Sequence, residues 1–233
     1  MFYAAPMLGS RSLPVQVRVL LALLLAWVIY PLLEPMPSIN AFSFVGILIT
    51  IEQVLLGAAM GFLLQLVFAA MVVAGQTTAT TMGLGFASTI DPQNGVQVPV
   101  LSQYFLILST LMFFSLNGHL VLIETLVESF IRWPVSAHGF SDGFFWQIVS
   151  WIKFSFEGAM LIALPAISAV LLVNIAFGVM TRAAPQLNIF AVGFPITIST
   201  GFLVLMLTLP AFLPRFESLL EAGFLQMLTI LER

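Results

Sequence analysis

Residues 75–99 read GQTTATTMGLGFASTIDPQNGVQVP and lie between two long apolar runs. Five threonines, three glutamines and four glycines share the stretch with one charge, Asp91. Lipid cannot hydrogen-bond an irregular backbone, so such a segment persists at membrane depth only inside protein or beside water. The function is therefore expected to lie at this polar interruption between the helices.

Composition sets the depth. Hydrophobic residues make up 61% of the 233 positions and charged residues 7%, with a mean hydropathy of +1.12. A soluble domain carries about 25% charged residues, so this chain lacks the charge to cover a water-facing surface. It reads as a membrane or membrane-complex protein. Four uncharged intervals, 53–90, 92–123, 158–181 and 183–214, each exceed the roughly 20 residues that span a bilayer as helix. The net charge of −3 rests on few ionisable groups, and no basic patch interleaved with aromatics is present, so nucleic acid is not expected as a partner. With no cysteine there is no disulfide, thiolate metal site or cysteine nucleophile. Arg11 and Arg18 precede the apolar run 19–33, but prolines and further helices follow, which predicts an uncleaved membrane segment rather than a signal peptide.

The fold class predicted is all-α. A first helix should start near Pro14 and reach Tyr30, where Pro31, Pro35 and Pro37 remove amide donors and crowd the turn. The apolar stretch 41–73 would be about 50 Å long as one helix, longer than a hydrocarbon core of about 30 Å, and a break is expected at 50–53. Gly57 and Gly61 form a GxxxG step that suits close helix approach and equally suits chance. Residues 100–130 read as one helix, and PVSAHGFSDG (134–143) as the linker at the internal boundary. A hairpin follows, with arms 144–180 and 188–213 and a turn at 181–187. In the tail, Phe216, Leu219, Leu220, Phe224, Met227 and Leu231 recur at helical spacing opposite Glu217, Glu221 and Glu232. That pattern predicts a separate amphipathic helix for an interface or a partner.

Catalytic groups are scarce. His119 and His138 are the only histidines, neither sits in a zinc-binding pattern, and GxSxG is absent. No catalytic residue, cofactor or metal site is predicted. Glu124, Glu128 and Arg132 share a helix face at i, i+4, i+8, and Lys153 and Glu157 repeat the spacing; both groups read as local ion pairs on solvated surface. Glu52 is isolated, and marks either a break at the water boundary or a contact with another chain. Met82, Phe86 and Ile90 recur every four residues, a spacing that fits ordinary packing or a yielding seal, while Gly83 and Gly85 add mobility or close backbone approach. A stand-alone secondary transporter for a small solute is the alternative reading. An ion-coupled one would place a carboxylate near mid-span, and 158–181 and 183–214 contain none.

Four stretches taken together carry a resemblance: SRSLPVQVRVLLALLLA (10–26), GQTTATTMGLGFASTIDP (75–92), LNGHL (116–120) and APQLNIFAVGFPITI (184–198). They resemble the FliR/SctT family of type III secretion export-gate components, in its flagellar form. The resemblance implies a FliP-like helical part at 1–140 joined to a FliQ-like helical hairpin at 141–233. It implies a structural, pore-forming role in a hetero-oligomeric gate with FliP-like and FliQ-like subunits, beside FlhB and FlhA, conducting unfolded flagellar subunits. The location implied is the bacterial inner membrane at the flagellar basal body, with parts raised toward the periplasm. It further implies a pore plug within 81–97 that includes Met82, Gly83, Gly85, Phe86 and Ile90, with Met82, Phe86 and Ile90 as its closing surface. Pro185 and Gln186 match the hairpin tip, Asn117 and Gly118 a helix-packing motif, and Gly193 and Pro195 the assembly motif that follows. The family pattern usually opens with one further hydrophobic helix, where this sequence has only residues 1–8 ahead of its GSRSLP motif.

Overall fold

A computed structural model describes residues 1, 14–33, 40, 42–86, 88–90, 97–135, 139–140, 143–183 and 189–232. The architecture is all-α, with six helices and one short strand pair among the described residues. Helix α1 spans Val15–Ile29 and starts behind Pro14, whose extended backbone leads into the first turn. A 3-10 turn, Tyr30–Leu32, closes it at Pro31, as the proline spacing predicts.

Helix α2, Phe44–Thr81, is the centre of the molecule. The Ser43 side chain accepts from the Gly46 amide at 3.0 Å and so satisfies one of the orphan donors of the first turn. The break expected at 50–53 does not occur. The Thr50 hydroxyl donates to the Gly46 carbonyl within the helix at 2.8 Å. The Glu52 carboxylate is buried and accepts the indole N–H of Trp133 at 3.0 Å. Neither polar group needs water, so the helix runs on for 38 residues, about 57 Å. Length and composition qualify α2, α5 and α6 to cross a membrane, though each exceeds a core of about 30 Å.

Helices α3 (Val100–Ser115) and α4 (Gly118–Arg132) replace the single helix expected over 100–130. Their axes bend by 68° at Leu116 and Asn117. Asn117 supplies the turn by adopting φ 57°, a left-handed conformation that asparagine tolerates better than most residues. Gly118 follows it because a Cβ there would stand 2.5 Å from the Phe113 ring. The sharp corner is thus built by two adjacent residues.

Helices α5 (Phe144–Ala183) and α6 (Ile189–Thr229) form the hairpin. They run antiparallel, since Gly158 of α5 faces Leu219 near the far end of α6, where a Cβ would lie 2.6 Å from the leucine side chain. Buried Ser155, Ala159, Ala163 and Ala166 give α5 a small-residue face, and the Ser155 hydroxyl donates to the Leu66 carbonyl of α2 at 2.6 Å. The tail is no separate helix. Helix α6 continues through Pro210 and Pro214 to Thr229. Phe216, Leu219, Leu220, Phe224, Met227 and Leu231 are buried in the chain's own core. A helix-interior proline costs about 3 kcal/mol, whereas each large side chain buried returns about 1.5–3 kcal/mol, so packing carries the helix through.

The core lies where α2 meets its three neighbours. Phe68 of α2 packs edge-on against Phe113 of α3 and Phe216 of α6, with ring centroids 5.6 and 5.8 Å apart. Phe105 of α3 meets Phe212 of α6 at 5.0 Å. At the other end, Trp133 is fully buried beside Phe140 and Phe144, which stack at 4.3 Å. The two expected ion pairs are present and exposed: Arg132 with Glu128 at 2.7 Å, and Lys153 with Glu157 at 3.7 Å. Arg132 also reaches Glu232 at 3.2 Å, joining the end of α4 to the end of the chain.

Candidate functional site

The polar stretch divides in two. Its first part, through Thr81, is the last two turns of α2. The hydroxyls of Thr77, Thr78, Thr80 and Thr81 each donate to the carbonyl four residues back at 2.8 Å. Threonine can meet its hydrogen-bonding need inside the helix in this way. A run of polar residues is here ordinary helix, and the irregular backbone starts only at Met82. Gly75 is the contact point with the start of α3, since a Cβ would fall 2.6 Å from the Ser102 Cα and 2.9 Å from the Leu101 carbonyl oxygen.

Met82 and Gly83 end the helix. The Met82 amide still bonds to the Thr78 carbonyl at 3.0 Å, and Gly83 then turns to φ +83°, the left-handed close that favours glycine. A Cβ on Gly83 would also stand 2.7 Å from the Phe194 ring of α6. Met82 is 0% exposed, and its side chain fills the space where a Cβ of Gly201, also on α6, would stand. The end of α2 is therefore seated in a notch on α6. Gly201 and Phe194 belong to this site; the sequence reading does not mark Gly201, and it holds Phe194 only within the 184–198 motif. Their only signal is a glycine in a long apolar helix and a phenylalanine inside the GFP step.

Beyond Gly83 the chain makes a 3-10 turn, Leu84–Phe86, in which Gly85 is exposed. Strand β1, Ser88–Ile90, then pairs antiparallel with β2, Gln97–Pro99, in the register Ser88↔Pro99, Thr89↔Val98 and Ile90↔Gln97. Because helix gives way to turn and strand, Met82, Phe86 and Ile90 do not form one helical face despite their four-residue spacing. The backbones of Phe86 and Ile90 lie in the turn and in β1. Residues 91–96 of the stretch lie outside the described residues.

The other described motif residues lie at the α3–α4 corner and on α6 beside the notch. Asn117 and Gly118 form the α3–α4 corner, near Phe113. Gly193 is buried in α6 and Pro195 lies inside the same helix, close to Phe194 of the notch. Pro185 and Gln186 lie outside the described residues. No group of three or more His, Cys, Asp or Glu side chains able to hold a metal occurs among the described residues.

Sequence comparison finds relatives that match nearly the whole chain. A profile for "Bacterial export proteins, family 1" matches residues 1–223. The flagellar biosynthetic protein FliR of Escherichia coli K12 is 36% identical over 220 residues, covering 94% of this chain and 84% of the relative. FliR of Bacillus subtilis is 29% identical over 211 residues, covering 88% and 80%. A protein of Yersinia pestis, "Yop proteins translocation protein T", is 28% identical over 194 residues, covering 78% and 71%.

Proposed function

The chain belongs to the bacterial export proteins, family 1, and on that premise we propose that it is a structural, pore-forming subunit of the flagellar type III protein export gate. Membership makes it a membrane-associated component of the export apparatus and not an enzyme. The finer role is our reading. In it, the segment after α2 closes the resting pore against ions and yields to an extended polypeptide.

One observation carries this reading. Helix α2, the most buried of the three long helices described, ends in a turn and strand pair, and a methionine at its tip is seated in a glycine notch on α6. A flexible thioether side chain fills an irregular gap tightly and can leave it by rotamer changes. We take Met82 and Gly83 as the anchored base of the plug, and Gly85, Phe86 and Ile90 as its forward part.

The same reading makes 1–140 a FliP-like part and 141–233 a FliQ-like hairpin, assembled with FliP-like and FliQ-like subunits beside FlhB and FlhA in the inner membrane. Pro185, Gln186, Gly193 and Pro195 then serve assembly. Both faces of α5 and α6 that α2 leaves uncovered support this, because large apolar side chains such as Trp146, Leu172, Met206 and Leu207 are strongly exposed there.

The test is electrical. Deleting residues 83–90 should raise the resting conductance of the assembled gate to small ions while the complex still forms. An unchanged resting conductance in an assembled complex would overturn the plug role.

A further inference from the structure

Pro165, Pro210 and Pro214 of the hairpin fall at one height. Gln226 of α6 donates to the Gln147 carbonyl of α5 at 3.5 Å, and Gly158 of α5 faces Leu219 of α6. Carrying that antiparallel register forward puts Pro165 of α5 opposite Pro210 of α6, with Pro214 one turn nearer the core. An open apolar cleft at the same height agrees, since Pro165, Met206 and Leu209 line it together. The contacts with α2 give a second fix. Ser155 of α5 bonds to Leu66, while Val67 and Met82 of α2 meet Gly223 and Gly201 of α6. Both sets place the proline level near Gly75, and only about 10 Å of α2 remains from there to Met82.

Each proline removes a backbone bond at that level, so the carbonyls of Leu161, Met206 and Pro210 lose the amide partner four residues on. Both arms are weakened at one height, where a single weakened arm would be braced by the other. Packing within the chain does not make up for this on the side of the tip. Toward the core, Phe212 and Phe216 are buried. Toward the tip, no residue from Phe202 to Ala211 is buried, and α5 has no buried residue after Val170. The next buried position along α6 is Gly201, where the notch holds Met82.

We propose that the hairpin bends at these paired prolines and that the bend opens the notch around Met82. Gly201 stands nine residues from Pro210 (210 less 201), about 14 Å along the helix. A proline kink of about 20° over that lever shifts the notch by about 5 Å, the length of a methionine side chain. Direction follows from Pro165. It lines the cleft, and its ring crowds the helix on that face, so a bend there carries the arm away from α3 and Leu84. The proposal concerns how Met82 is released, and it stands whether or not the segment beyond seals a pore.

Methionine oxidation by hydrogen peroxide in the intact export complex, mapped by peptide mass, reads the opening, because a thioether is oxidised when it becomes accessible. Met82 and Met71 are both 0% exposed, but Met71 lies on the core side of the proline level. In the wild type, Met82 should oxidise about ten-fold faster than Met71, as expected for a local opening that spares the core. Pro165→Ala with Pro210→Ala should slow Met82 about ten-fold and leave Met71 unchanged, the scale of two restored backbone hydrogen bonds. Either single replacement should slow Met82 about three-fold, and the two carry the test if the double variant does not assemble. Wild-type Met82 as slow as Met71 would overturn the proposal, as would a Met82 rate unmoved by the replacements in an assembled complex. Equal slowing of both methionines would also overturn it, since that marks a general stiffening and not a hinge.

Discussion

Gly201 has no side chain because the Met82 side chain occupies the space where one would stand. Both positions are packed, so the contact predicts a coupled pair. Gly201→Ala overpacks the notch and should destabilise the chain by about 1 kcal/mol or more. Met82→Ala alone empties a fully buried site and should cost about 2–5 kcal/mol. The double variant should be more stable than the sum of the two by about 1 kcal/mol, since the alanine methyl at 201 regains part of the lost volume. Thermal unfolding of the four proteins, each in the assembled complex, measures that difference; strict additivity would mean that the two side chains do not meet. None of this is legible in sequence, where the two residues are 119 positions apart (201 less 82) and each has an unremarkable neighbourhood. Glu52 gives the same lesson. Its partner, the Trp133 indole, is 81 residues away, so a lone carboxylate in an apolar run reads as a break when it is a satisfied acceptor.

At the level of elements, local chemistry marked the edges well and the continuity poorly. Pro14 and Pro31 bound α1 as their geometry requires. Pro214 bounds nothing, because the side chains beyond it are buried and hold α6 together. The α3–α4 corner was missed for a different reason: the apolar runs on both sides outweigh the short Asn117-Gly118-His119 interruption, and only the backbone at Leu116 and Asn117 departs from helix. A prediction belongs to that corner. Asn117→Val puts a β-branched residue into left-handed backbone and should destabilise the fold by about 1–2 kcal/mol. Asn117→Gly should be close to neutral there. Unfolding midpoints that rank valine equal to glycine would show that the corner does not require φ above zero.

Across the whole molecule, the sequence supplied the class, the helical hairpin and the apolar stripe at 216–231, but assigned the stripe to the wrong occupant. Periodicity reports that a face is covered and not by what. Here the cover is α2, whose Val67 packs so closely on α6 that a Cβ on Gly223 would stand 2.8 Å from it. Truncation after Arg215 therefore should not merely loosen a partner contact. It removes seven large buried side chains, Phe216, Leu219, Leu220, Phe224, Met227, Ile230 and Leu231, each worth about 1.5–3 kcal/mol, from a fold whose net stability is about 5–15 kcal/mol. The truncated chain should lose protease resistance and disappear from membranes; a truncated chain as resistant as the full one would show that the α2–α6 core is dispensable. The notch at Gly201 has a last consequence. Met82, Gly201 and Phe194 carry no side-chain charge and no side-chain hydrogen bond joins them, so unseating Met82 breaks no polar interaction. On the plug reading proposed above, its release should respond to temperature and applied force and not to pH or ionic strength.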